Sequence, residues 1–222
     1  ERPRVLLFSG INRIFVDKPV HAFFEKQGII AKTQDVGEFL CFYETAPITR
    51  RGFALGRRTP REQAALWTLI AGVFHNPTRQ PRLQALRAGL HVQVIELLDH
   101  RWRKIMAVTG LTVAPDFHYG ELMEAGHAVV PVSGRTEATC TAGRYLLSLR
   151  EGDFDGYVNI GAFNCLPASS ATAATHTAAA TSSVPHAVIE SDGVALTASQ
   201  LRQLEAVAAQ VWERRGKPAA QA

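Results

Sequence analysis

The last third of the chain alternates strand-like and helix-like segments, and no other feature constrains the fold as much. Gly156–Gly161 (GYVNIG) is a short apolar run between glycines, and Ala187–Glu190 is a second such run. After the second run, Thr197 stands three residues before Gln200, and Leu201, Leu204, Val207 and Val211 follow on one helical face. That is a capping box opening an amphipathic helix. Strands separated by helices return through crossovers and pair in parallel. The first segment repeats the pattern. Arg4–Ser9 (RVLLFS) reads as a buried strand ended by Gly10. Asp17 caps a helix over Lys18–Gln27, Gly28 stops it, and Ile29–Thr33 reads as another strand. Ala128–Val132 reads as a strand and Cys140–Leu149 as a helix. The expectation is an α/β fold with a mainly parallel sheet of four or five strands.

The middle of the chain reads differently. Glu38–Tyr43 (EFLCFY) fits strand or helix equally, and Thr49–Arg58 is loop-like. Thr59-Pro60-Arg61-Glu62 is a strong helix start, with a cap, a proline in the first turn and a capping-box glutamate. This helix runs to about His75, where Asn76-Pro77 stops it. Apolar residues from Leu83 to Met106 then recur at three- and four-residue steps, which predicts one long amphipathic helix over Arg82–Thr109. Together these make an added helical layer. Ala168–Ser183 holds eight Ser and Thr residues, whose side chains compete for backbone hydrogen bonds, so a weak or frayed helix is expected there. The organisation expected is one α/β domain over residues 1–215, with a helical insertion at about 59–110 and a frayed tail at 216–222. A chain starting Glu1-Arg2-Pro3 reads as a fragment or processed form.

A length of 222 residues, with 46% apolar and 20% charged residues, is ordinary globular usage. It excludes a disordered tail, a collagen-like repeat and a disulfide mini-protein. The longest unbroken apolar run, Phe39–Tyr43, is five residues, far below the roughly twenty that a membrane span needs. The net charge is +4, yet Arg50–Lys104 carries eleven basic residues against three acidic ones. A solvated helical surface accounts for such a run, and so does a face for an anionic partner. Its four aromatics, Phe53, Trp67, Phe74 and Trp102, are widely scattered and no nucleic-acid module is present, which argues against nucleic-acid binding. Three cysteines, Cys41, Cys140 and Cys165, are an odd number without secretory features. They are expected reduced, in a cytoplasmic protein.

Ligands of open parallel sheets bind beyond the carboxyl ends of the strands. Four stretches fall at such ends: Gly10–Arg13, Gly134–Cys140, Ala162–Pro167 and Glu190–Gly193. Cys165 follows a strand, and Cys140 stands where a loop becomes a helix, where unpaired N–H groups favour a thiolate. A free cysteine is more commonly a small buried apolar group, and Cys41 in its aromatic setting fits that best. If the strand-end loops converge, the thiols suit a soft metal or an iron–sulfur cluster. Gly10-Ile11-Asn12-Arg13 can be a plain βα turn, or a cradle in which Asn12 and Arg13 hold an anionic group. It has neither GxGxxG nor GxxxxGK[ST]. Glu137, Glu38 and Glu190 are possible acid/base groups or simply solvated carboxylates. The eight histidines are scattered, with no paired-ligand spacing.

Five stretches taken together resemble the 2-hydroxyacyl-CoA dehydratase D-component-like family, which includes CoA-substrate-specific enzyme activase-related proteins. They are Gly10–Asp17, Glu38–Glu44, Thr136–Arg144, Phe163-Asn164-Cys165-Leu166-Pro167-Ala168 and Val188–Gly193, and the similarity spans about Arg4 to Arg214. The resemblance implies a Rossmann-like three-layer α/β domain and a [4Fe-4S] cluster. Its metal ligands would be Cys41, Cys140 and Cys165, with one iron left open. A component of that kind would use Glu137 and Asn164 as catalytic groups that touch the substrate or support the ligands, and Asn12 and Arg13 as candidates for binding the anionic part of an acyl-CoA-type substrate. The partners implied are an ATP-dependent activator protein and a cluster-bearing partner subunit or preceding region, since family members are generally longer. The Ala168–Ser183 run departs from the compact helix expected after the Phe-Asn-Cys-Leu-Pro motif. A reading of a different class is a non-catalytic α/β module that holds a partner subunit through its basic helices.

Overall fold

The short apolar runs become strands of one sheet. In the computed structural model these are β1 (Arg4–Phe8), β2 (Ile30–Thr33), β3 (Gly156–Ala162) and β4 (His186–Ser191). The structure describes residues 2–8, 17–34, 37–43, 79–108, 119–131, 136–191 and 195–216. The strand order is β2-β1-β3-β4, and every neighbouring pair is parallel. The helices are α1 (Asp17–Lys26), α2 (residues 37–43), α3 (Arg79–Val108), α4 (Tyr119–His127), α5 (Ala138–Glu151), α6 (Leu166–Thr181) and α7 (Ala198–Arg214). The chain divides into two compact units: Glu1–Gln34 with Arg144–Ala222, and Asp35–Gly143. The first holds the whole sheet; the second supplies α2, α3, α4 and the start of α5.

A parallel sheet must be covered on both faces, because its strands are apolar on both. Val5 and Leu7, Val158 and Ile160, and Ala187 and Ile189 alternate onto one face. There they pack against Val20 and Phe24 of α1 and Leu204, Val207 and Val211 of α7. The opposite face carries an aromatic cluster. Phe8 stacks on Tyr145 of α5 with centroids 5.0 Å apart, and Tyr145 meets Tyr157 edge-on at 5.0 Å. Two covered faces make this unit a three-layer α/β fold, as the alternating sequence predicts.

The caps follow the sequence closely. Thr197 accepts from the Gln200 amide, and Gln200 reaches back to the Thr197 amide at 2.8 Å, a complete capping box. Gly28 has φ +69°, a left-handed conformation that glycine adopts without penalty. Its amide and that of Ile29 bond to the carbonyls of Glu25 and Phe24, closing α1. Asp155 fastens the amino end of the sheet by accepting the Arg4 amide at 2.8 Å and both arms of Arg215 at 2.7 and 2.9 Å.

Two expectations are corrected. Ala128–Val130 is not a strand: the amides of Val129 and Val130 bond back to the Gly126 carbonyl and wind up the end of α4. Pro131 follows and has no N–H to give to a ladder. Nor is the Ser/Thr-rich run frayed. The α6 helix is regular over sixteen residues. The hydroxyls of Thr172, Thr175 and Thr181 bond to carbonyls four residues back, so they are satisfied inside the helix. Residues 37–43, open between strand and helix in sequence, are helical. The expected helix Thr59–His75 lies outside the described residues. The long helix expected over Arg82–Thr109 is α3.

His186 sits at the amino end of β4, with ring centroids 5.6 Å from Tyr145 and 6.0 Å from Phe8. Burial, reinforced by the charge of His176, pulls its pKa down to about 4. The unfolded chain therefore takes up this proton first as pH falls. The contribution of His186 is intact above about pH 7 and is lost between there and pH 4. Unfolding free energies from urea titrations at pH 7 and pH 5 should differ by on the order of 1–2 kcal/mol through this group. His186→Phe, which keeps the ring and removes the proton site, should shrink that difference.

Candidate functional site

Strand order locates the site. From β1 the chain moves to β2 on one side, then returns to place β3 on the other side of β1. The carboxyl ends of β1 and β3 are thus the point where the order reverses, and open parallel sheets bind ligands there. Asn12 and Arg13 follow β1 and lie outside the described residues. The loop after β3 is described in full: Ala162, Phe163, Asn164, Cys165 and the first residues of α6.

This loop is built tightly and presents a thiol. The Phe163 amide donates to the Ser191 carbonyl of β4 at 2.8 Å, and the Cys165 amide to the Ala162 carbonyl at 3.0 Å. Asn164 takes φ +58°, a left-handed conformation that asparagine tolerates better than most residues. The turn delivers Cys165 to the N-cap of α6 in an extended conformation. Its carbonyl accepts the Ser169 amide at 2.9 Å, while its side chain makes no capping hydrogen bond. The thiol is half-buried, at the positive end of a sixteen-residue helix. Pro167 sits in the first helical turn, where its missing N–H costs nothing. Phe163 and Leu166, on either side of Cys165 in sequence, are 71% and 69% exposed.

Sequence reasoning missed Asn159. It is 1% exposed and stands in the β1–β3 register opposite Phe8, the last residue of β1. Its Nδ2 donates to Thr172 Oγ1 of α6 at 2.6 Å, while its Oδ1 is buried without a protein partner among the described residues. A buried polar oxygen left open calls for a partner. The signal was in the sequence: one amide in the middle of an otherwise apolar strand.

Of the other candidates, Cys41, Cys140, Glu137 and Glu38 fall in the second unit. Cys41 lies in α2 and Cys140 in the first turn of α5, and both are buried. Glu137 precedes α5 and is not a solvated loop carboxylate: it is 7% exposed and accepts a hydrogen bond from the Tyr43 hydroxyl. That bond ties α2 to the start of α5, which carry Cys41 and Cys140 two and three residues away from it. Further along, α5 crosses α4 with the backbones in contact. A Cβ on Gly143 would fall on the Leu122 carbonyl oxygen, and one on Gly126 on the Thr139 carbonyl oxygen. Of the remaining carboxylates, Glu190 is exposed on β4 and Glu38 is half-buried in α2.

The thiols match the donor chemistry of an iron–sulfur group, but among the described residues no three His, Cys, Asp or Glu side chains group closely enough to hold a metal ion. Among the same residues, no helix is long and apolar enough to cross a membrane. The fold and site define a parallel α/β protein with a thiol at its topological switch point. Comparison with protein-family models, with curated proteins and with solved structures finds no match.

Gly143→Ala tests the helix crossing. The contact is backbone to backbone, so the helices must spread to admit a methyl group. Chemical denaturation should show a loss of roughly 2–3 kcal/mol. A change under about 0.5 kcal/mol, the range of ordinary surface substitutions, would refute the close crossing.

Proposed function

We propose that this chain is a cytoplasmic iron–sulfur component of a 2-hydroxyacyl-CoA dehydratase-like or low-potential electron-transfer system, and that it acts through the loop after β3. The observation that carries the reading is the placement of Cys165. It is a half-buried thiol with no capping bond, at the N-terminus of α6 and at the switch point of the sheet. The resemblance of Phe163–Ala168 to the dehydratase family adds the chemistry, since soft thiolates are the ligands iron–sulfur groups take.

Within this reading the chain's own residues have separate tasks. Cys165 supplies the sulfur ligand, from the N-cap position of α6 where its side chain makes no capping bond. Asn164 sets the direction of the thiol through its backbone conformation. Asn159, held by Thr172, offers its free Oδ1 to a hydroxyl or amide of a bound molecule. Phe163 and Leu166 give the loop an apolar surface for an acyl chain or a partner. Cys41 and Cys140 are the remaining thiols, and Glu137 is the buried carboxylate beside them in sequence. Asn12 and Arg13 remain the residues assigned to the anionic part of an acyl-CoA. A bound cluster supplies one electron at low potential, delivered by an ATP-dependent activator.

Anaerobic reconstitution of the full chain with iron and sulfide tests the reading. Wild type should bind iron, and Cys165→Ser should lose most of it, because a hydroxyl is a far weaker ligand for iron–sulfur centres than a thiolate. The variant should keep its fold, since the side chain makes no capping bond. Equal iron in both proteins, or none in wild type, would overturn the assignment.

A further inference from the structure

The helix α3 is turned with its apolar row outward. It is thirty residues long, about 45 Å. At 3.6 residues per turn, Leu90, Val94, Leu97, Leu98, Ile105 and Val108 lie within an arc of roughly 100°. All six are exposed, and Trp102 at the border of the row is 63% exposed. Val92, on the opposite side, is buried. Glu96 and Asp99 are on that opposite side too. Both are half-buried, and Glu96 accepts the Tyr119 amide of α4 at 3.1 Å. An amphipathic helix ordinarily buries its apolar row and exposes its charges. Here the row is exposed and both acids face inward.

Charge decides what fits the row. Arg101 lies inside the arc and Lys104 at its edge, and both are exposed. None of the exposed described residues of α3 is a carboxylate. Packed α3 against α3, a second copy of this chain would set these cations against their own counterparts, with no carboxylate among the exposed described residues of that helix to neutralise them. We propose that the outward face of α3 docks an amphipathic helix of a different protein, with an apolar stripe flanked by carboxylates that meet Arg101 and Lys104. The apolar stripes supply the buried contact, and the opposite charges select the partner and set its register. The surface is independent of Cys165, so it stands or falls apart from the iron–sulfur reading.

The test uses the full chain and two fluorescein-labelled synthetic helices about three heptads long. Both carry leucine at the core positions; one has glutamate at the flanking positions and the other lysine. Anisotropy should show the glutamate peptide binding at least about tenfold more tightly than the lysine peptide. The double variant Leu98→Glu with Ile105→Glu should lose that binding with an unchanged circular dichroism spectrum. Arg101→Glu should reduce or reverse the preference between the peptides. No binding of the glutamate peptide, or equal binding of both, would overturn the proposal. So would a concentration-dependent dimer of the chain that Leu98→Glu disperses, since a second copy would then be the occupant. Resistance of Leu98→Cys to maleimide in the dilute chain would also overturn it, because the chain itself would then cover the row.

Discussion

The pairing of β1 with β3 is the contact on which the sheet unit depends. Val5, Leu6, Leu7 and Phe8 stand opposite Gly156, Tyr157, Val158 and Asn159, with about 150 residues of chain between them. A contact between such distant segments has a high loop-closure cost, and only what it assembles offsets that cost. Once made, it joins the β2–β1 pair to the β3–β4 pair and completes both faces of the sheet. The aliphatic face then buries α1 and α7, and the aromatic face buries Tyr145 and α6. Asp155 fixes the amino end of this pairing through Arg4 and Arg215.

The same pairing creates the site. Had the strands followed in simple succession, no reversal of strand order would leave a crevice between two carboxyl ends. With β3 beside β1, the loop of Cys165 opens beside the end of β1, and Asn159 lies level with that end. The α6 helix serves both ends of the arrangement. Its N-terminus carries the thiol, and its Thr172 holds Asn159. Local strain at Asn164 is the cost of turning the chain sharply enough to put a cysteine, rather than the loop backbone, at the helix start.

Sequence made the sheet legible where local signals and tertiary demands agree. The Thr197–Gln200 box, Gly28 and the apolar runs of β1, β3 and β4 each act through neighbouring residues alone. Reading failed where a local preference was overridden. Ala128–Val130 has strand-forming residues, yet its amides fold back on Gly126, and Pro131 denies the next bond. The threonines of α6 looked disruptive in composition but bond within their own helix. The burial of Glu137 depends on Tyr43, more than ninety residues away, a pairing no local pattern encodes. Cys165 was legible as a strand-end residue, whereas its free N-cap geometry rests on the turn at Asn164. The outward row of α3 was legible only as amphipathic periodicity, which does not say which face is covered.

The central claim is that Cys165 is the ligand-facing thiol of the chain while Cys41 and Cys140 are enclosed. Timed iodoacetamide labelling of the native chain, read cysteine by cysteine by mass spectrometry, addresses it most directly. The account predicts that Cys165 is modified first, that Cys41 and Cys140 react only on unfolding, and that prior loading with iron and sulfide under argon protects Cys165. Early modification of Cys41 or Cys140, or a Cys165 rate unchanged by loading, would contradict it.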